Sequence, residues 1–467
     1  MGFRNLHYLG AVEVGRRIHA KEISPVEVTK ALLARIDKLD KKLRPYARVT
    51  ADLALQQAKK AEGQIRKGNI KGPLHGVPIA VKDLCYTKGI VTAAGMPAVH
   101  GRFKPKHDAT VVKRFRDAGA ILLGKLQMTE GAFADHHPDI RPPVNPWNAA
   151  HWSGASSSGS GVATAAGLCY ASLGSDTGGS IRFPSAANGV TGLKPTWGRV
   201  SRYGVFDLGP SLDHIGPMTR SAADAAAVLG VIAGADKNDP TAVQDPVPNY
   251  LAGLDRGIRG VRIGVDADYN TEGVDAAMRK TVNDALKVLA DLGADIRPVK
   301  FPSPDQIVDE WAVQCSVETA VAHANTYPKK KAAYGPGLAN FIDLGRSVSA
   351  MDYQRVVMNR KEFSGRVAAM FEHCDMLAIP AQYKASLLVS QMANLADNAK
   401  TLGMLLRFTA PFDYTGSPVI TLTSGFTRAG TPIAFQLVGR HLEEDLLLRA
   451  GHAYQQATDW HKAHPKV

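Results

Sequence analysis

Residues 76–83 read Gly76-Val77-Pro78-Ile79-Ala80-Val81-Lys82-Asp83, a short apolar run that ends on a lysine. A run of this length, opened by Gly and Pro, reads as a buried β-strand. Outward from it the period changes. Asp108 stands where it would cap a helix running to about Ala118, and Ala120-Ile121-Leu122-Leu123 then reads as a second strand. Upstream, Ser24-Pro25-Val26-Glu27 has the form of a capping box with Pro at the first helical position. Val28, Leu32, Leu33, Ile36 and Leu39 follow at helical spacing, which predicts an amphipathic helix over 25–40, and a more polar helix covers 51–66. Downstream, a strand at 260–265, a helix around 275–291 and a strand at 294–299 make a βαβ-like unit. A helix near 351–372 then leads into a strand at 376–379. This alternation predicts an α/β fold with a largely buried sheet covered by helices.

Composition narrows the class. The chain has 467 residues, 45% apolar and 21% charged, enough for one large or two medium domains of ordinary globular type. Cys85, Cys169, Cys315 and Cys374 are scattered, with no CxxC or Cys/His cluster, so neither a zinc site nor a disulfide framework is expected, and a reducing cytoplasm fits. Glu13, Arg16 and Arg17 interrupt any signal-peptide core. Leu6 stands where a myristoylation signal needs Ser or Thr, and the longest apolar run, 222–233, contains Asp224 and is too short to cross a bilayer. No membrane association is expected. The net charge is +13, and residues 1–71 alone hold sixteen Lys and Arg against seven Asp and Glu. These lysines alternate with acids at helical spacing and no aromatic-studded basic stripe appears, so solvated helix faces are expected rather than a nucleic-acid surface.

The common catalytic signatures fail. Gly119 to Leu126 nearly matches a phosphate-binding loop, but Leu126 replaces the required hydroxyl and the residues before Gly124 read as a strand. No Gly-x-Ser-x-Gly or His-Glu-x-x-His occurs. Asp135-His136-His137-Pro138-Asp139 lies on a Pro-broken segment where adjacent histidines usually point apart, so no metal is expected there. What remains is a region crowded with Gly, Ser and Ala: His151-Trp152-Ser153-Gly154-Ala155-Ser156-Ser157-Ser158-Gly159-Ser160-Gly161, then Gly174-Ser175-Asp176-Thr177-Gly178-Gly179-Ser180-Ile181-Arg182. Apolar segments 162–166 and 168–173 run through it, so it is no linker. Two readings stand side by side. Small residues let backbones pack closely, a purely structural use. Alternatively, Asp176 to Ser180 form a nest of backbone N–H groups beside a serine, suited to the oxyanion of acyl transfer. That serine needs a base, and Lys82 at the end of an apolar strand can serve if burial lowers its pKa.

Several of these stretches together resemble the amidase signature family, over nearly the whole chain. The resemblance is carried by Gly76 to Asp83, by Ala118 to Lys125, by Gly154-Ala155-Ser156-Ser157-Ser158-Gly159, by Gly174 to Pro184 and by Gly192-Leu193-Lys194-Pro195-Thr196. It implies one domain over 1–467, a large mixed twisted sheet sandwiched by helices, with N-terminal helices in about 1–70 wrapping the outside. It implies that Ser180 is the nucleophile, Ser156 the bridging serine that relays the proton and Lys82 the neutral general base. The N–H groups of Thr177, Gly178, Gly179 and Ser180 correspond to the oxyanion hole, and Asp176 with Arg182 to a buried pair bracing the nucleophile loop. Ser157 and Ser158 correspond to hydrogen-bonding supports. Helix N-capping is the plain structural use of such serines. The family has Gly before the bridging serine, joined to it by a cis peptide. Here Ala155 takes that place, and a cis bond is still expected.

The resemblance implies an amidohydrolase without cofactor or metal, acting on a small-molecule amide or on a related anilide, carbamate or ester. It allows a homodimer. The alternative with the same motifs is the glutaminase subunit of a tRNA-dependent amidotransferase, and a catalytically dead binding protein disagrees with the intact Lys82, Ser156 and Ser180. Such glutaminase subunits carry Asp two residues before a Phe-Thr pair. Here Leu406 precedes Phe408-Thr409, which favours the free amidase. The substrate-facing residues are expected from the motif-free stretches 126–150, 301–350 and 380–410.

Overall fold

The computed structural model describes residues 6–467; the start of the N-terminal stretch, residues 1–5, lies outside the described residues. Eleven strands join into one mixed sheet: β1 (Tyr46–Val49), β2 (Pro78–Lys82), β3 (Ile121–Leu126), β4 (Ala171–Asp176), β5 (Thr191–Lys194), β6 (His214–Thr219), β7 (Arg262–Val265), β8 (Asp295–Pro298), β9 (Met376–Pro380), β10 (Val419–Phe426) and β11 (Pro432–Gly439). Their order across the sheet is β1-β3-β2-β4-β6-β5-β10-β11-β9-β7-β8. The expected α/β architecture is therefore present as a large mixed sheet between helices.

The strands β2, β3 and β4 are buried at every residue, as strands covered on both faces must be. They run parallel, with Ile79 beside Ala171 and Val81 beside Leu173. Because they are parallel, the C-terminal ends of β2 and β4 emerge on the same edge of the sheet. That edge carries Lys82, the last residue of β2, and Asp176, the last residue of β4.

The N-terminal helices form where capping and apolar spacing predict them. Helix Pro25–Leu43 begins with Ser24 Oγ accepting from the N–H groups of Val26 and Glu27. The same hydroxyl donates to Glu62 on helix Ala51–Arg66, which ties the two helices together at 2.6 Å. Both pack against β3. Asp108 behaves differently from its expected capping role. Helix Thr110–Asp117 starts further along, and the Asp108 carboxylate accepts the Lys88 N–H at 2.8 Å and pairs with Arg116. The βαβ unit is present: β7 and β8 are parallel, joined by helix Ala276–Asp291, whose N-cap Asp275 accepts from Met278 N–H. Among the described residues no helix is long and apolar enough to cross a membrane.

Candidate active site

Lys82 is fully buried. Its Nζ donates to Ser156 Oγ at 2.5 Å and to Ser175 Oγ at 2.8 Å. Among the described residues no carboxylate lies within salt-bridge distance of it. Burial pulls its pKa down from 10.5 to about 7, against the upward pull of the Asp176 charge. An ammonium group with only hydroxyls for company gives up its proton readily, because desolvation penalises the charged form and no adjacent anion offsets that penalty.

Ser156 lies in the turn that enters helix Ser158–Ala165, and the Ala155–Ser156 peptide is cis. Ser157 stands at that helix's N-cap, yet its hydroxyl does not cap. It accepts the Ser175 N–H at 3.3 Å and donates to Ser175 O at 3.2 Å, fastening the turn to β4. Ser158 Oγ pairs with His136 Nε2 at 3.0 Å. His137 turns elsewhere, its Nδ1 accepting from Asp139 N–H.

Ser180 sits on the tight turn between β4 and helix Arg182–Asn188 and is partly exposed. The turn is organised from below by Asp176, whose carboxylate accepts the N–H groups of Gly179 (2.6 Å) and Ile181 (2.9 Å) and the Arg182 guanidinium at 2.8 and 3.0 Å. Arg182 also donates to Asp413 at 2.6 Å and to Thr409 O at 2.9 Å, and the side chains of all three charged residues are fully buried. Burial opposes the charge of Asp176, but Arg182 and the N–H donors outweigh it and hold the carboxyl well below the usual range. Asp176 and Arg182 thus form a buried ion pair beneath the turn, with Asp413 as a third member.

Two expectations are modified. The Gly179 N–H is engaged by Asp176, because a carboxylate beneath the turn captures the nearest amide. The N–H groups of Thr177, Gly178 and Ser180 remain without a partner among the described residues. Gly179 is still required as glycine: its φ is +131°, and a Cβ there would lie 2.3 Å from the Phe183 ring. Second, Lys82 reaches Ser156, but no hydrogen bond joins Ser156 to Ser180 among the described residues.

Other groups hold the turn at Thr177–Ser180 and have no local signal in the sequence. Thr177 Oγ1 donates to buried Asp213 at 2.5 Å, Trp311 Nε1 donates to Thr177 O at 2.9 Å, and Thr409 Oγ1 donates to Gly178 O at 2.6 Å. His214 packs below with its Nδ1 3.3 Å from Asp176 O, and burial drives its pKa well down. Lys194, also fully buried, has its pKa lowered by burial to about 7. Asp413 and Thr409 lie outside the stretches that carry the resemblance, and Trp311 has only its place in the motif-free stretch 301–350.

Above Ser180 opens a pocket walled by Phe133, Trp152, Phe183, Trp311 and leucines from 395–406. These walls come from the stretches 126–150, 301–350 and 380–410, with Trp152 and Phe183 added from the motif region. A serine on a turn whose N–H groups have no partner among the described residues, near a hydroxyl held by a lysine whose pKa burial lowers, is suited to acyl transfer.

Comparison with known proteins agrees with this geometry. A family model described as Amidase matches residues 27–448. A Mycobacterium tuberculosis (strain ATCC 25618 / H37Rv) protein provisionally named amidase AmiD is 46% identical over 98% of this chain and 96% of its own length. A glutamyl-tRNA(Gln) amidotransferase subunit from Geobacter sp. (strain M21) is 36% identical over 96% of this chain and 97% of its own. The solved structure of the peptide amidase PAM with the competitive inhibitor chymostatin superposes with a TM-score of 0.86, at 29% identity, over 98% of this chain and 99% of that one. Motifs, fold and relatives converge: the chain belongs to the amidase signature family and is an amidase, a hydrolase of amide C–N bonds.

Proposed function

We propose that Ser180 is the nucleophile of a free-standing amidase, with Ser156 as proton relay and Lys82 as general base. The observation that carries this reading is the company of Lys82: a buried amine bonded to two hydroxyls and to no carboxylate. Neutral Lys82 accepts a proton from Ser156, which takes the proton of Ser180 as its Oγ attacks the amide carbonyl. The oxyanion forms against the N–H groups of Thr177, Gly178 and Ser180. Gly179 holds the turn in shape through Asp176. Collapse breaks the C–N bond, the leaving amine takes the proton back through Ser156, and an ester on Ser180 remains. Water attacks that ester by the same relay and releases the acid. The cycle requires Ser180 Oγ to come within reach of Ser156 once substrate is bound, as catalytic hydrogen bonds commonly tighten in the complex. Asp176 and Arg182 brace the turn, and Ser157 and Ser158 fix the relay serine.

The glutaminase component of a tRNA-dependent amidotransferase is the second reading, supported by the similarity to amidotransferase proteins. The greater similarity to an amidase and the leucine at position 406 favour the free enzyme. The four cysteines are buried and free, which suits a cytoplasmic setting, and one sheet running through both halves of the chain supports a single domain over 1–467. The decisive experiment is mass spectrometry after treatment with a fluorophosphonate. The expected adduct is on Ser180 and is abolished in Ser180→Ala. A label on any other serine refutes the assignment.

A further inference from the structure

We infer that the substrate presents a neutral, apolar aryl or branched alkyl group to the pocket beside Ser180, and that the segment 395–406 is the wall that selects it. This rests on the serine amidase reading above and names its substrate class. Among the described residues no charged side chain lines the pocket. Phe133, Trp152, Phe183, Trp311, Leu402 and Leu406 supply its surface, and the space they bound, open mouth included, is about 420 Å³. The polar side-chain atoms of Trp311 and Thr177 are engaged elsewhere. Trp311 Nε1 is committed to Thr177 O, and Thr177 Oγ1 to Asp213. Ser180 and the N–H groups of its turn thus face a cavity walled mainly by apolar side chains, the pattern of a site that orients one reacting group and grips the rest by apolar contact.

The wall is anchored at both ends by polar contacts that leave its middle apolar. Asp135 accepts the N–H groups of Leu395 and Ala396 at 3.1 and 2.9 Å. Beyond helix Ala399–Leu406, Thr409 Oγ1 donates to Gly178 O on the oxyanion turn. Between these anchors Leu402, Leu405 and Leu406 face the pocket, and Leu406 is close enough that a Cβ on Gly178 would lie 2.9 Å from its Cδ2. The anchor at Gly178 fixes the distance from the leucine wall to the reacting serine. Charge is available nearby, but outside. Ala134 and Trp152 also line a neighbouring cleft, and it is that cleft which holds Arg44, Asp135, His136 and His137. A substrate with an α-amino and an α-carboxylate group, such as glutamine, would leave both charges unpaired against leucine and tryptophan.

The test is protection of Ser180 in the full-length enzyme from a fluorophosphonate by 4-phenylbutyramide, succinamate or glutamine at equal concentrations. The expected result is at least a 100-fold lower half-protecting concentration for 4-phenylbutyramide than for either charged amide. Leu402→Glu, at the half-buried position of the wall, should raise that concentration at least tenfold. Equal protection by succinamate or glutamine, or no protection by the neutral amide, overturns the inference while leaving Ser180 as the labelled nucleophile. Unchanged protection in Leu402→Glu overturns the role of the wall, and the wild-type comparison stands even if that variant does not fold. Absence of any label on Ser180 defeats the underlying reading instead.

Discussion

Lys82 and Lys125 lie on neighbouring parallel strands, and both are completely buried, yet they keep opposite company. Lys125 pairs with Val81 across the strands and Lys82 with Leu126, one step further, so the two side chains leave the sheet on opposite faces. Lys125 meets the Asp83 carboxylate at 3.1 Å and Thr92 Oγ1 at 2.7 Å. Lys82 meets two serine hydroxyls. The same residue type at the same depth is therefore part of an ion pair on one face and a candidate base on the other. The difference lies in the partner: a carboxylate compensates an ammonium charge, whereas hydroxyls leave burial to drive the proton off.

The comparison is sharpest where activity is concerned. Lys82→Met or Lys82→Arg should lower kcat by roughly 10³- to 10⁴-fold, within the range for loss of general acid–base catalysis. Arg cannot rescue, since a guanidinium stays protonated. Steady-state rates that survive in Lys82→Arg would erase the distinction between the two lysines.

Stability should move in opposite directions. Lys125→Met leaves buried Asp83 without its partner and should cost about 3–5 kcal/mol in denaturant unfolding, with the active-site chemistry untouched. Lys82→Met should gain stability at neutral pH. The unfolded lysine titrates at 10.5 and the folded one at about 7, so between those values only the unfolded chain holds the proton. Stability then rises with pH across that window, and the native lysine costs the fold at its lower end. The gain, roughly 1–2 kcal/mol after the lost hydrogen bonds are counted, should shrink as pH approaches 10. A loss of several kcal/mol in Lys82→Met would show that Lys82, like Lys125, serves as a structural cation.

The smallest effect concerns the acid limb. With the base protonated below about 7, kcat/KM should fall tenfold per pH unit beneath that point and level off above it. Lys194 is also lowered to about 7 and lies under the same turn, so a one-group profile must be traced to its owner. Lys194→Met should keep the limb. If the limb vanishes there, the group that titrates is beneath the nucleophile turn and not beside Ser156.

The sequence makes the local parts of this site legible. Lys82 at a strand end, the Ser156 turn and the Asp176–Arg182 loop are each written in contiguous residues that the family resemblance picks out, where the small side chains alone left a packing use open. The helices at 25–43 and 51–66 are equally plain, because capping and apolar spacing are local properties. Asp413, Asp213, Trp311 and the leucine wall are not legible as a constellation. Each acts through a contact across a long stretch of chain, and nothing near Trp311 in sequence records that its indole will meet Thr177. The different role of Asp108 has the same origin: a residue with capping chemistry is claimed by Lys88 and Arg116, which only the fold brings to it.

Arg182 draws its outer partners, Thr409 O and the Asp413 carboxylate, from 227 and 231 residues further along the chain. The turn that bears Ser180 is therefore completed by residues made long after it. A chain still emerging, or one cut before residue 409, already carries Lys82, Ser156 and Ser180, yet its Arg182 lacks a carbonyl and a carboxylate and its Gly178 lacks the Thr409 tie. Contacts of such long separation close late in folding. Under the proposed mechanism the ability to cleave therefore waits on residues 409–413, so that a molecule clipped before them holds Ser180 without the frame that would arm it.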